Sequence, residues 1–121
     1  LIYLFFSSRL RVSILNAACS LGLPACLNEA SLRFTAFLAN PQNKPHPDLR
    51  EIIYYYGMHY IGNEQSWEQM WDIFVGEHET SEKSKLMYGL AGVKIPWLLK
   101  RWVHTKFQLK ILLIFVSLFG M

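Results

Sequence analysis

The chain has 121 residues, of which 52% are hydrophobic and 15% aromatic; that is enough to bury roughly two-thirds of its unfolded surface in one domain and too apolar for a disordered segment. Net charge is +3, yet Ser7 to His104 hold ten Lys/Arg against nine Asp/Glu, and the other two positive charges are Lys106 and Lys110. No basic stripe interleaved with aromatics exists, so a nucleic-acid partner is not expected.

Leu1 to Phe6 is a purely apolar lead-in. It has no charged start and no cleavage site, so it is not read as a signal peptide. From there the chain punctuates itself into six helical segments, with no strand-like alternation competing. The first helix is predicted from about Ser8 to Leu21, with Leu10, Ile14, Ala17 and Ala18 as its apolar stripe. A Gly22/Pro24 break follows; Gly suits a helix C-terminus and Pro a first helical turn. The second helix opens at Pro24 and ends near Asn40-Pro41, with Leu27, Ala30, Phe34, Phe37 and Leu38 on one face. Between Asn40 and Pro47 three prolines remove backbone donors and impose extended neighbours, so no regular structure is expected.

Pro47-Asp48 predicts the start of the third helix, with Leu49, Ile52, Ile53, Tyr56 and Tyr60 inward and Gly62 as its stop. Ser66 and Gln69 have capping-box spacing at the head of the fourth. Trp67, Met70, Trp71 and Phe74 then recur at helical spacing and read as core. Thr80 or Ser81 is expected to cap the fifth helix, which turns Leu86, Met87 and Leu90 inward. Pro96 opens the sixth, apolar from Trp97 to Val103 around Lys100-Arg101. Ile111 to Phe119 is apolar apart from Ser117. Neither terminal run reaches the ~20 residues of a membrane-spanning helix. Helices of this length joined by short loops favour antiparallel neighbours. The predicted fold class is all-α, with antiparallel helix pairs stacked as an α-superhelix, a HEAT- or armadillo-like solenoid fragment. The first residue is not Met, a start expected of a piece of a longer protein.

Cys19 and Cys26 lie seven apart across the Gly22/Pro24 turn. Such a turn brings them within disulfide reach. Bridged, they place the chain in an oxidising compartment; free, they are two small buried hydrophobes. No Asn-x-Ser/Thr sequon is present. For chemistry the nearest pattern is His78-Glu79-Thr80-Ser81-Glu82. Zinc peptidases use H-E-x-x-H, with two His on one helical face and a Glu as general base. Here Glu82 takes the second ligand position, which leaves the set short of three protein ligands. The stretch reads better as a polar loop with a helix start. His46, His59 and His104 have no ligand spacing, and the glycines form no phosphate loop. No catalytic, metal or cofactor-binding residue is therefore assigned.

Five blocks carry a resemblance. Asn16-Ala-Ala-Cys-Ser with Cys26 is similar to an AC-S-x-G-x-x-x-C corner. Phe37-Leu38-Ala-Asn-Pro41 is similar to an F-x-x-W-L/M-x-N-P helix end. His46-Pro47-Asp48-Leu49-Arg50 with Tyr54 is similar to h-P-x-L-R-x-x-V-Y. Trp67-Glu-Gln-Met-Trp71-Asp-Ile-Phe74 is similar to W-x-x-x-W-x-x-F. Lys85-Leu86, Gly89-Leu90-Ala91 and Trp97-Leu98-Leu99-Lys100-Arg101 are similar to K-L-x-x-A-L-A and W-L-L-x-R-Y-L. In order and at near-correct spacing, they resemble part of the C-terminal helical domain of the gluzincin zinc aminopeptidases, nearest the membrane-anchored aminopeptidase N-like group. The resemblance covers about Arg9 to Val103. It implies an α-superhelical domain that packs on the parent's catalytic domain and walls a chamber for peptides.

The zinc motif H-E-x-x-H-x18-E and the substrate-amine motif G-A-M-E-N are both missing, so the chain alone is expected to be inactive. Zinc belongs to the parent enzyme and not to this chain. Many ectoenzyme relatives carry a second disulfide, whose positions fall here on Tyr55 and Gly92. Residues 1–6 are then a lead-in, 7–104 the partial domain, and 105–121 an off-family apolar tail. The expected function is non-catalytic: a chamber wall in an enzyme of peptide catabolism. Its partners are the parent's catalytic domain and the peptides in its chamber. It touches the membrane only through the parent's anchor, on the extracellular face or in secreted form. The alternative is a stand-alone helical-repeat module that binds a protein partner.

Overall fold

The computed structural model describes residues 8–101. It folds them into α1 (Ser8–Ser20), α2 (Pro24–Ala39), α3 (Arg50–Ile61), α4 (Glu64–Gly76), α5 (Thr80–Ala91) and α6 (Pro96–Arg101). No strand occurs among the described residues, and the fold class is all-α. The lead-in 1–6, the stretch 105–121 and the expected end of the sixth helix at Val103 lie outside the described residues.

The chain turns between α1 and α2 through about a right angle, 105°. Gly22 makes this possible with φ +81°, a left-handed conformation that costs a side-chain-bearing residue energy. The Gly22 and Leu23 N–H groups donate to Cys19 O and Ala18 O, closing the end of α1. Pro24 then starts α2, where its missing N–H costs nothing. No single helix among the described residues is long and apolar enough to cross a membrane.

Helix α3 is the centre of the molecule, packed chiefly between α2 and α5. Ile52, Ile53, Tyr54, Tyr56, Gly57 and Met58 are all buried, so its middle is enclosed on nearly every side. Gly57 lets α2 come close, because a Cβ there would collide with the Phe34 side chain. The main core holds Phe34 and Phe37 of α2, Tyr54 and Met58 of α3, Trp67, Met70, Trp71 and Phe74 of α4, Leu86 and Leu90 of α5, and Leu98 of α6. Trp67 and Trp71 stack with ring centroids 5.7 Å apart. The indole N–H of Trp67 donates to Leu90 O at 3.1 Å, so this buried donor is satisfied. A smaller second cluster, Cys19, Ala30, Ile52 and Tyr56, seats α1.

Five local expectations change. The buried side of α1 is Cys19 with Val12 and Leu15 half-buried, whereas Leu10 and Ile14 are exposed. Neighbouring stripes on a short helix compete, and the bridge position decides between them. Helix α3 begins at Arg50, later than Pro47, because residues 46–49 first form a tight turn closed by Leu49 N–H to His46 O. Tyr60, one turn beyond the enclosed middle of α3, is 46% exposed. Helix α4 starts one turn earlier than the Ser66/Gln69 box. Asn63 is extended and caps it, accepting from Ser66 N–H at 2.8 Å, while Ser66 Oγ accepts from Asn63 N–H at 2.8 Å. Finally, neither Thr80 nor Ser81 caps α5. Both lie inside it, and Glu77 Oε1 accepts instead from the N–H groups of His78 and Glu79.

Candidate functional site

Two places gather the residues that carry chemistry. The first is the α1–α2 corner. Cys19 and Cys26 are joined by a disulfide with Cα atoms 5.2 Å apart. Cys19 is buried and Cys26 half-buried. Cys26 Sγ lies 3.3 Å from Leu15 O. As a bridged sulfur it has no proton to give, so this is a contact and not a hydrogen bond. The bridge borders a groove of about 460 Å³ between α1, α2 and the start of α3, lined by Leu15, Cys19, Leu23, Cys26, Ala30 and Ile52 among others. Glu29 and Arg33 stand at the groove and pair with each other at 2.8 Å.

The second place is where α3 meets α5, and it absorbs the H-E-x-x-E stretch. Glu82 is 1% exposed. Its Oε2 accepts from Arg50 Nη1 at 2.9 Å and its Oε1 from the Tyr54 hydroxyl at 2.8 Å. Arg50 also donates from Nε to Pro45 O at 2.8 Å, tying the proline loop to the helices. Lys44 to Glu77 at 3.0 Å and Lys85 to Pro47 O at 3.2 Å pin the same loop. Burial, and then the hydrogen bond its hydroxyl donates to Glu82, push the Tyr54 phenol far above its ordinary range. The Glu79 N–H chiefly holds the Glu77 carboxyl below its usual value; burial opposes it, and Lys44 and the His78 N–H add to the lowering. This network was not visible in the reading of H-E-x-x-E as a polar loop. Its signal was Arg50 and Tyr54, four apart on one face of α3, opposite the only acid in the first turn of α5.

His78 is exposed on the loop before α5, while Glu82 is turned inward. The two ends of the near-motif are therefore engaged in different surroundings. Among the described residues no three His, Cys, Asp or Glu side chains are gathered in a way that could hold a metal ion. Zinc, which the resemblance implies for a parent enzyme, does not fit the described residues.

The order of blocks along these helices is that of a known domain. The sequence pattern of the ERAP1-like C-terminal domain matches residues 6–111. The chain belongs to that family. Glutamyl aminopeptidase of Bos taurus is 40% identical over 94 residues, which is 78% of this chain and 10% of that protein. The Homo sapiens glutamyl aminopeptidase is also 40% identical over 94 residues, with the same coverage. Aminopeptidase N of Homo sapiens is 34% identical over 93 residues, 76% of this chain and 10% of that protein. This ERAP1-like segment thus spans about a tenth of the length of the curated relatives it matches. The positions noted for a second disulfide, Tyr55 and Gly92, are neighbours in space. A Cβ on Gly92 would stand 2.8 Å from Tyr55 O and 3.0 Å from the Tyr55 ring. Tyr55 stacks on Tyr88 at 4.6 Å, and His59 Nδ1 lies 2.9 Å from Gly92 O, so rings and a hydrogen bond join α3 to the end of α5 there.

Proposed function

We propose that this chain is a non-catalytic part of the C-terminal domain of a zinc aminopeptidase, whose parent removes N-terminal residues from peptides. The observation that carries the reading is the family match over residues 6–111. The commitment of Glu82 to Arg50 and Tyr54 supports it, since the acid of the one near-motif is spent on holding helices together. The part played here is packing. Residues 7–104 continue the parent's superhelix, rest against its catalytic domain and wall the chamber where peptides are held. In the parent, a zinc ion would supply the activated water for hydrolysis, and none of the described side chains takes part in that step. The parent would sit on the extracellular face of the membrane through its own anchor, or be secreted.

The test uses the purified 121-residue chain and a set of aminoacyl-naphthylamides that includes the glutamyl and alanyl forms. No hydrolysis and no stoichiometric zinc are expected. Chelator-sensitive turnover would overturn the reading.

A further inference from the structure

Three tyrosines meet where α3 faces α5. The rings of Tyr55 and Tyr88 are stacked, with centroids 4.6 Å apart and planes 21° from parallel. Tyr56 meets Tyr55 edge-on, at 5.0 Å and 82°. The phenol ends of the three rings gather on one side. Burial raises the Tyr88 phenol first, and the phenols of Tyr55 and Tyr56 and the Glu51 carboxyl raise it further. Electrostatic influence fades with distance, so the Tyr55 and Tyr88 oxygens are neighbours, and with them the ring carbons ortho to each hydroxyl. Tyr88 is 43% exposed and Tyr55 half-buried. One ring of the stack is thus open to an oxidant while the other is held in place. Tyr54, by contrast, is enclosed and donates its hydroxyl to Glu82.

We propose that Tyr55 and Tyr88 form an oxidative cross-linking site, where two one-electron oxidations join α3 to α5 by a carbon–carbon bond between the rings. The oxidant is hydrogen peroxide, used through a haem peroxidase. Each phenol gives up one electron and its hydroxyl proton and becomes a phenoxyl radical, whose spin is shared with the ortho carbons. The two radicals pair their odd electrons in one new bond between ortho carbons of the facing rings. Each of these carbons then loses its hydrogen as a proton and each oxygen regains one, which restores both aromatic rings. In all the protein loses two electrons and two protons. One molecule of hydrogen peroxide takes them up and becomes two molecules of water. Tyr55 and Tyr56 are poorly placed for the same step, because consecutive helical residues do not face each other and these rings meet edge to face. The Cys19–Cys26 bridge is of a kind that persists in oxidising surroundings, the setting this chemistry needs.

The test treats the folded 121-residue chain with a haem peroxidase and limiting hydrogen peroxide, at about 1 μM chain so that tethered pairs outcompete encounters between chains. The fluorescence of coupled phenols should appear in a monomeric chain that is lighter by two hydrogen atoms. A tryptic digest sequenced by fragmentation should show Tyr55 joined to Tyr88. Tyr55→Phe and Tyr88→Phe each keep a ring in the stack, and each should lower the yield of linkage within the chain at least about tenfold, the advantage that tethering gives. Tyr60→Phe should leave the yield unchanged. No linkage, linkage mainly between chains, a bond that joins another pair of tyrosines, or equal yields from the Tyr55→Phe and Tyr60→Phe chains would each overturn the site. The digest of the unaltered chain decides by itself should a variant fail to fold.

Discussion

Glu82 is a carboxylate withdrawn almost wholly from water, and a buried charge is tolerated only when paired and hydrogen-bonded. Both of its oxygens have partners, one cationic and one neutral. Glu82→Gln keeps the shape, removes the charge and leaves the Arg50 guanidinium without its counter-ion. Breaking a buried pair costs about 3–5 kcal/mol. Arg50 retains 18% exposure, which places the expected loss near the lower end, about 3 kcal/mol by urea denaturation. Glu79→Gln, three residues earlier and exposed, should change stability by less than about 0.5 kcal/mol. Equal effects at both positions would contradict the buried pair. Glu77 gives the pH dependence its sign. Its folded carboxyl titrates below its ordinary value. The stabilisation it provides is therefore complete above that ordinary value and is lost as pH falls through the lowered one. In urea melts run from neutral to acid pH, the advantage of the chain over Glu77→Gln should shrink steadily across that interval. An advantage that grew on acidification would contradict the assignment.

Capping shows what an element needs beyond its apolar stripe. Asn63 and Ser66 satisfy each other's backbone N–H groups at the head of α4. Asn63→Ala should cost about 1 kcal/mol, the usual worth of such a cap, measured as a shift in the urea midpoint. Gln69→Ala should be nearly neutral, although Gln69 was the box partner expected from sequence. The two boxes differ by one turn, and only the extended backbone of Asn63 settles which is real. The same limit explains the rest of what could and could not be read. Six helices were legible because Gly22, Pro24, the proline loop, Gly62 and Pro96 mark their ends. The stripe of α4 was legible because Trp67, Met70, Trp71 and Phe74 are large and have no rival face. The stripe of α1 was not, because its apolar residues spread over two faces and only its neighbours select Val12, Leu15 and Cys19. The Arg50–Tyr54–Glu82 network was hidden for a further reason. Its members lie 28 and 32 residues apart, and an acid early in a helix ordinarily means only a favourable dipole.

At the scale of the whole molecule, the described residues present several large apolar side chains outside the core. Leu21 is 80% exposed and Leu32 68%, with Leu23 and Trp97 each about half exposed. These residues do not lie on one element: they belong to the α1–α2 corner, the outer side of α2 and the start of α6. The superhelix proposed above would account for this, because each unit of a repeat array buries part of its apolar face on the next. Separated from such neighbours, the 121-residue chain should bury that surface against other copies. Sedimentation velocity should show a mass average that rises with concentration. The rise should be larger at 25 °C than at 5 °C, because apolar association weakens on cooling. Leu32→Lys puts a charge at the centre of the exposed α2 face without touching the core, so it should lower association while leaving the melting temperature within a few degrees, as surface changes do. Association that instead grew stronger at low salt and ignored temperature would point to charge, and the uncovered helix faces would then need another explanation.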